Sequence, residues 1–315
     1  MARPPLLVIG RYPDWDLQPM RQDFDVTQLA GPEEIAGLDA GLRGVVRAIA
    51  YRSQRRLGGA EMDLLQGLGL VAKFGVGFEA IDVAAARARG VRVTNTPDVL
   101  SDDVADLAVA MLIAQARRML PATRYLRAGR WAKEGPVPLA GTVSGRRVGI
   151  VGLGRIGRAI ADRLTAFKME IHYHSRAPKP VPEDWRFHDD PVSLAAAVDF
   201  LVVAIVGGSE TEGYVSAQAL SALGSEGIVV NISRGSTIDE AAMLDALEAG
   251  RLGGAALDVF RGEPEIDPRF LKLENVLALP HIGSATVSTR QAMGALQRAN
   301  IAAFHEGRAV LTPVV

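Results

Sequence analysis

The 315-residue sequence contains no cysteine and carries almost no net charge. The absence of cysteine excludes disulfides, thiolate metal sites and cysteine nucleophiles, and it fits a reducing, cytoplasmic location. Lysine and arginine total 35 and aspartate and glutamate total 36, so the net charge is −1. This balance lacks the basic footprint of a general nucleic-acid binder. We therefore expect no nucleic-acid partner.

Long hydrophobic runs are also missing. The apolar runs at residues 6–9 and 200–206 have the length of a strand, which is too short for a signal peptide or a membrane span. Hydrophobic residues make up 48% and charged residues 23% of the chain, a composition typical of a globular protein. We expect about two domains and no membrane partner.

Short apolar runs alternate with stretches rich in Ala, Leu and Arg. The runs predict buried strands at residues 6–9, 45–50, 70–74, 91–94, 147–151, 170–173, 200–205, 228–232, 255–259 and 276–278. Strands that alternate with helices predict βαβ units and parallel sheets. Two helices are expected to mark domain crossings, one from Ser101 to about Leu120, before Pro121, and one over about 288–306.

A glycine-rich motif follows the predicted strand at 147–151. Gly152, Gly154 and Gly157 form the pattern G-x-G-x-x-G ahead of a helical stretch. In a dinucleotide-binding turn these glycines permit a tight turn, close backbone approach to pyrophosphate, and close packing of helix on strand. The free N–H groups of the helix then bind the phosphates. A tight βα turn without nucleotide is the alternative.

The next strand ends without the acidic residue that NAD enzymes use to hold the ribose hydroxyls. It reads Tyr173-His174-Ser175-Arg176. The Ser175 hydroxyl can hydrogen-bond a 2′-phosphate, and the Arg176 guanidinium can pair with it. We predict a preference for NADP(H) over NAD(H). His172 and His174 do not complete a recognised ligand set, so no metal is expected.

Three further segments follow predicted strands, at the edge where α/β folds bind ligands. They are Ser233-Arg234-Gly235, Asp258-Val259-Phe260 with Glu263-Pro264, and Pro280-His281-Ile282-Gly283. Together with the glycine motif, and in this order, they resemble the NAD(P)-dependent D-isomer-specific 2-hydroxyacid dehydrogenase family. Within it the chain is most similar to the glyoxylate/hydroxypyruvate and hydroxyphenylpyruvate reductases, which often carry this Tyr-His-Ser-Arg type of strand end.

The resemblance implies an α/β fold of two Rossmann-like or flavodoxin-like domains with parallel sheets and the active site in the cleft between them. Residues 1–99 and 284–315 would form a discontinuous substrate-binding domain. Residues 100–283 would form the dinucleotide-binding domain. The resemblance also implies a homodimer, in which Trp131 reaches the active site of the partner.

Catalytic roles follow from the same resemblance. Arg234 would bind the substrate carboxylate and polarise the C2 carbonyl, and His281 would act as the acid/base. Glu263 would pair with His281 and favour its protonated form, which suits proton donation near neutral pH. Asp258 is expected near the nicotinamide amide. The implied cofactor contacts are Gly152, Gly154, Arg155, Ile156, Gly157, Ser175, Arg176, Ile232, Asp258 and Gly283.

The segment 73–78 resembles the substrate-domain loop of the family. The backbone amides of Val76 and Gly77 would hold the substrate carboxylate, with Ser53 and Arg290 lining the pocket. The chain departs from the family at residues 78–80, where Phe-Glu-Ala stands.

The function expected is NADPH-dependent reduction of glyoxylate and hydroxypyruvate to 2-hydroxyacids. The alternatives are reduction of aromatic 2-ketoacids such as phenylpyruvate or hydroxyphenylpyruvate, and a dinucleotide-sensing protein of the corepressor type. Turnover of a small ketoacid discriminates the enzyme from the sensor.

Overall fold

The computed structural model describes residues 3–315. Close contacts group the chain into two compact units, one ending at Leu100 and completed by Thr286–Val315, and the other consisting of Ser101–Ala285. Each unit contains one parallel sheet, of five strands in the first and seven in the second. The predicted α/β class with two parallel sheets is therefore confirmed. Among the described residues, every helix is too short or too polar to span a membrane.

The first unit has the strand order of a flavodoxin-like sheet, β2-β1-β3-β4-β5. Its strands are β1 (Pro5–Gly10), β2 (Asp25–Leu29), β3 (Ala48–Arg52), β4 (Leu70–Lys73) and β5 (Arg92–Thr94). Its helices are α1 (Asp14–Asp23), α2 (Ala40–Val45), α3 (Gly59–Asp63), α4 (Val83–Ala88) and α12 (Val287–His305), with a 3₁₀ helix at Pro32–Gly37. Helix α12 returns the chain to this unit and contacts β3 and β4.

The second unit has the order β12-β11-β10-β9-β6-β7-β8, which is the Rossmann arrangement with one added strand. Its strands are β6 (Arg147–Val151), β7 (Glu170–His174), β8 (Arg186–His188), β9 (Phe200–Val203), β10 (Ile228–Asn231), β11 (Gly254–Leu257) and β12 (Val276–Ala278). Its helices are α5 (Ser101–Ala116), α6 (Met119–Arg127), α7 (Arg130–Glu134), α8 (Arg155–Thr165), α9 (Pro191–Ala196), α10 (Ala217–Leu223) and α11 (Glu240–Glu248). Short 3₁₀ helices lie at Ser209–Thr211, Gly235–Thr237 and Pro268–Leu271.

The core strands are buried on both faces because helices cover parallel sheets on both sides. Every residue of β4, β9 and β11 is buried, which explains why these strands contain no polar residue apart from Lys73 at the end of β4. The edge strands differ. Strand β2 is mostly exposed or half-buried and β8 has no fully buried residue, so neither strand is an apolar run in the sequence.

Two predicted element boundaries are wrong by three residues or more. The helix expected to reach Leu120 ends at Ala116, because Arg118 adopts a left-handed conformation (φ 49°) before α6 begins. Pro121 then lies in the first turn of α6, where the missing N–H has no helical partner to lose. The strand expected from Val45 begins at Ala48, since Val45 is the last residue of α2.

The carboxyl ends of parallel strands meet at one edge of each sheet. At this edge of the second unit, Gly152 follows β6, Ser175 follows β7, Ile232 follows β10 and Asp258 follows β11. The loop that leads to His281 follows β12 at the same edge. In the first unit, Ser53 follows β3 and Phe74 follows β4. The topology therefore groups the predicted site residues of each unit along one edge, apart from Trp131 in α7 and Arg290 in α12.

Candidate active site

The glycine-rich loop between β6 and α8 contains three glycines of the motif. At two of them a side chain would clash with the protein, and at the third there is open space beside the backbone. Gly152 has φ 98°, and a Cβ added there would lie 2.9 Å from the backbone of Ala204. A Cβ at Gly157 would lie 2.0 Å from the carbonyl oxygen of Gly152. At Gly154, by contrast, an added Cβ meets no described atom within 4 Å. The loop therefore fits a pyrophosphate that approaches the backbone at Gly154 and the N-terminus of α8, which begins at Arg155 and Ile156.

The end of β7 offers cations and no carboxylate. Arg176 and Lys179 are exposed, and Ser175 is half-buried with its hydroxyl donating to the carbonyl of Ala177 at 2.6 Å. Residues 171–182 contain no aspartate or glutamate. This segment is therefore suited to a phosphate group rather than to a pair of ribose hydroxyls.

A buried asparagine shapes the loop that carries Arg234. The side-chain amide of Asn231 donates to the carbonyl of Arg234 at 3.0 Å, and its oxygen accepts from the amide of Ser233 at 3.0 Å. The hydroxyl of Thr237 also donates to the Arg234 carbonyl, at 2.6 Å. The guanidinium of Arg234 donates to the carbonyl of Ser233 at 2.6 Å. Sequence reasoning missed Asn231 and Thr237, because their partners are defined only by the folded loop.

The loop of Arg234 packs directly against the loop of Glu263. A Cβ at Gly235 would lie 2.0 Å from the carbonyl carbon of Phe260, so no larger residue fits there without a shift. The amide of Phe260 donates to Oε1 of Glu263 at 2.8 Å. The glycine and this amide together set the separation between the guanidinium-bearing and carboxylate-bearing loops.

Glu263 and His281 form a hydrogen-bonded pair. Nδ1 of His281 lies 2.6 Å from Oε2 of Glu263, and because an ionised carboxylate only accepts, Nδ1 carries the proton. Burial acts to raise the pKa of Glu263, but the hydrogen bond and charge of His281, the Phe260 amide and the charge of Arg234 outweigh it and lower that pKa. The pair leaves Nε2 of His281 as the atom available to a substrate.

Asp258 holds the backbone that follows His281. Its two carboxylate oxygens accept from the amides of Ile282 and Gly283, each at 2.7 Å. Asp258 is buried, and this burial raises its pKa despite the two hydrogen bonds and the charge of His281. His281 itself has φ 54°, a left-handed conformation that is uncommon for residues other than glycine. The contacts of Asp258 therefore fix the strained turn that presents the imidazole.

An apolar cavity of about 240 Å³ borders the Glu263–His281 pair. Its other lining residues are apolar, namely Phe260, Pro264, Ile266, Leu271, Ala278, Leu279 and Pro280. Apolar surroundings lower the local dielectric and strengthen a charge-assisted hydrogen bond.

In the first unit, the loop after β4 is fixed by two side chains near its ends. The Asn95 amide donates to the carbonyl of Val76 at 2.9 Å, and the Gly75 amide donates to the hydroxyl of Thr96 at 2.9 Å. Within residues 3–315, the amides of Val76 and Gly77 donate to no protein atom. They are therefore a pair of backbone donors for an anion. Sequence reasoning missed Asn95 and Thr96.

Cations surround this loop. The guanidinium of Arg290 lies 5.9 Å from the ring centroid of Phe74, and that of Arg52 lies 4.5 Å from it. Nζ of Lys73 donates to the carbonyl of Ser53 at 2.8 Å. The predicted residues Ser53, Val76, Gly77 and Arg290 thus lie in one electropositive region of the first unit.

Trp131 lies in the second unit, in the short helix α7, and 62% of its surface is exposed. The neighbouring segment 119–139 carries further exposed apolar side chains, namely Met119, Leu120, Leu126, Val137 and Leu139. Neither α6 nor α7 contains a buried residue. The segment is thus an apolar surface that the described chain itself does not cover.

Residues 109–283 match the family model of the D-isomer specific 2-hydroxyacid dehydrogenase, NAD binding domain. The chain is 44% identical over 273 residues to a glyoxylate/hydroxypyruvate reductase A of Arabidopsis thaliana, covering 87% of each protein. The chain belongs to the D-isomer-specific 2-hydroxyacid dehydrogenase family.

Two further relatives bear on the substrate and the cofactor. This dehydrogenase is 44% identical over 270 residues to a hydroxyphenylpyruvate reductase of Plectranthus scutellarioides, and the match covers 86% of each protein. It also resembles the crystal structure of an NADPH-dependent glyoxylate/hydroxypyruvate reductase from Sinorhizobium meliloti in complex with NADP and malonate. That match has a TM-score of 0.93 and 42% identity and covers 100% of this chain and 97% of that one. The predicted family is confirmed, and the protein is an oxidoreductase that uses a nicotinamide dinucleotide.

Proposed function

We propose that this dehydrogenase reduces small 2-ketoacids to 2-hydroxyacids with NADPH, and that glyoxylate and hydroxypyruvate are its substrates. The observation that carries the proposal is the 2.6 Å hydrogen bond between His281 and Glu263, beside a loop that presents Arg234. The names of the relatives from Arabidopsis and Sinorhizobium support the same substrates. An aromatic 2-ketoacid is the second candidate, which the Plectranthus relative supports.

Reduction adds a hydride to C2 and a proton to the carbonyl oxygen. When bound, NADPH supplies the hydride. Arg234 binds the substrate carboxylate and polarises the carbonyl with its permanently charged guanidinium. His281 gives the proton from Nε2, and the carboxylate of Glu263 stabilises the imidazolium through Nδ1. Asp258 keeps the turn of His281 in place and, we propose, lies near the nicotinamide amide.

The second unit is the proposed dinucleotide-binding domain, and the first is the proposed substrate-binding domain. The amides at Gly154, Arg155 and Ile156 would hold the pyrophosphate, and Ile232 and Gly283 would border the nicotinamide half. The free amides of Val76 and Gly77 support a carboxylate site in the first unit. Ser53 and Arg290 are the proposed side-chain contributors there.

The preference for NADPH rests on Ser175 and Arg176. We predict that Arg176→Asp raises the KM for NADPH about 100-fold and the KM for NADH less than threefold. The reason is that the 2′-phosphate adds nearly two negative charges, which a carboxylate repels and a guanidinium attracts. Steady-state kinetics with both cofactors measures this. Arg87→Asp, on the exposed face of α4 in the other unit, is the control and should change neither value. An equal loss for both cofactors would refute the phosphate contact.

The apolar surface of segment 119–139 is proposed to bind a second copy of this chain. Exposed side chains such as Leu139, at 99% exposure, support this, because large uncovered apolar patches mark interaction sites. Trp131 is then proposed to reach the active site of the partner. A monomer in gel filtration at assay concentrations would contradict the homodimer. The cysteine-free composition supports a proposed cytoplasmic location.

The substrate proposal is tested by following the nicotinamide absorbance of purified protein with NADPH or NADH. The ketoacids are glyoxylate, hydroxypyruvate, pyruvate and phenylpyruvate. We expect the fastest NADPH oxidation with glyoxylate or hydroxypyruvate. Fastest turnover of phenylpyruvate would favour the aromatic candidate. Cofactor binding by fluorescence without turnover of any ketoacid would contradict a small-ketoacid reductase.

A further inference from the structure

The connection between β7 and β8 is unusual for two neighbouring parallel strands. Such a connection normally contains a helix, but residues 175–185 form neither helix nor strand within the described chain. Three of these residues are prolines, at 178, 180 and 182, and proline restricts the backbone before any ligand binds. We call this connection, residues 175–185, the arch.

A buried tyrosine fixes the near side of the arch. Tyr173, in β7, is 2% exposed. Its hydroxyl accepts from the amide of Lys179 at 3.1 Å and lies 3.4 Å from the carbonyl of the same residue. Because a phenol can donate and accept at once, one hydroxyl holds both main-chain polar groups of Lys179. The main chain of Lys179 is therefore held by Tyr173, and with it the point from which the exposed side chain of Lys179 extends.

An arginine of α8, the helix before β7, fixes the far side of the arch. Nη1 of Arg158, in the first turn of α8, donates to the carbonyl of Pro180 at 3.2 Å. Its guanidinium carbon lies 4.7 Å from the ring of Trp185, which is 7% exposed. Nε of Arg158 donates to Asp162 at 3.0 Å, one helical turn away. The charge of Arg158 is thus matched within its own helix, and its other contacts brace the arch.

We propose that Tyr173 and Arg158 are positioning residues that set the affinity for NADPH relative to NADH without contacting the 2′-phosphate. The inference rests on the NADPH preference proposed above. The arch contains Ser175, Arg176 and Lys179. If the arch loses the contacts that fix it, its two cations move apart, and a phosphate needs them close together. NADH has no 2′-phosphate, so its affinity does not depend on the positions of these cations. The acidic residues of the arch, Glu183 and Asp184, come directly before Trp185, on the part of the arch that Arg158 fixes.

The test compares dissociation constants of NADPH and NADH, measured by cofactor fluorescence. Tyr173→Phe removes only the hydroxyl and should weaken NADPH about three- to tenfold. Arg158→Met removes both the hydrogen bond and the cation–π contact and should weaken NADPH about tenfold or more. Each variant should leave NADH within about twofold. Arg158→Lys keeps a cation over Trp185 and should recover part of the loss.

The matched control is Asp162→Asn, which removes the carboxylate beside Arg158 but leaves both contacts to the arch. It should change neither dissociation constant by more than about twofold. If Tyr173→Phe and Arg158→Met weaken both cofactors equally, or neither, while the wild type prefers NADPH, the positioning role is wrong. If the wild type itself binds NADPH no tighter than NADH, the cofactor preference proposed above is wrong. The positioning role of Tyr173 and Arg158 then fails with it, because the arch binds no 2′-phosphate.

Discussion

Replacing His281 by alanine lowers kcat for ketoacid reduction by about 10²–10⁴-fold and leaves the dissociation constant of NADPH within about twofold. The expected loss is the usual contribution of a positioned general acid, because water alone must then protonate the carbonyl oxygen. Cofactor binding survives because the glycine-rich loop and the arch lie after β6 and β7, whereas His281 follows β12. Nicotinamide absorbance measures turnover, and cofactor fluorescence measures binding.

His281→Gln separates chemistry from structure. Its side-chain amide can still donate to Glu263, but it holds no proton that it could give at neutral pH. We expect it to be about as slow as the alanine variant. If the glutamine variant restores turnover, His281 serves to hold the turn and not to donate a proton.

Replacing Arg234 by methionine is expected to cost about 30-fold to several-thousand-fold in kcat/KM for the ketoacid. This range corresponds to about 2–5 kcal/mol for removing one partner of a desolvated charge pair, at about 1.4 kcal/mol for each factor of ten. Arg234→Lys should recover only part of the activity, because an ammonium cannot bind the carboxylate with two parallel hydrogen bonds.

Two controls test whether the effect of Arg234→Met is specific to substrate binding. The dissociation constant of NADPH should stay within a few-fold, since the proposed contact is to the substrate. Arg251→Met removes an exposed arginine whose side chain donates to the carbonyl of Asp245, and it should leave kcat/KM unchanged. If Arg234→Met retains nearly full kcat/KM, another group binds the carboxylate, and the cations around Phe74 become the first candidates.

The parts of the molecule that could be predicted from sequence are those specified by short segments. The roles of Gly152 and Gly157 can be predicted, because a tight turn and a close helix–strand contact each require glycine at a fixed spacing. The fully buried strands are readable because parallel strands covered on both faces are continuous apolar runs. The parallel-sheet class follows from their alternation with helices.

The remaining parts depend on contacts between distant segments. Strands β2 and β8 lie at sheet edges, so their residues need not be apolar, and they resemble loops in the sequence. Asn95 is a polar residue without a motif, and only the fold brings its amide to the carbonyl of Val76. Gly235 likewise packs against Phe260, which lies in a different loop of the chain. The sequence alone does not indicate this contact.

The central claim is that the carboxylate of Glu263 supports proton donation by His281 during reduction. Oε2 of Glu263 lies 2.6 Å from Nδ1 of His281, and although burial acts to raise the pKa of Glu263, the hydrogen bond and charge of His281 outweigh it and lower that pKa. The ionised carboxylate therefore orients the imidazole ring, and Nε2 is left to give the proton that reduction needs.

The measurement is kcat/KM for NADPH-dependent ketoacid reduction in the wild type and in Glu263→Gln, together with the dissociation constant of NADPH. Because the neutral amide places no negative charge beside the imidazole that gives the proton, kcat/KM should fall about tenfold or more, while the dissociation constant of NADPH stays within about twofold. An unchanged kcat/KM in Glu263→Gln would contradict the role assigned to the Glu263–His281 pair.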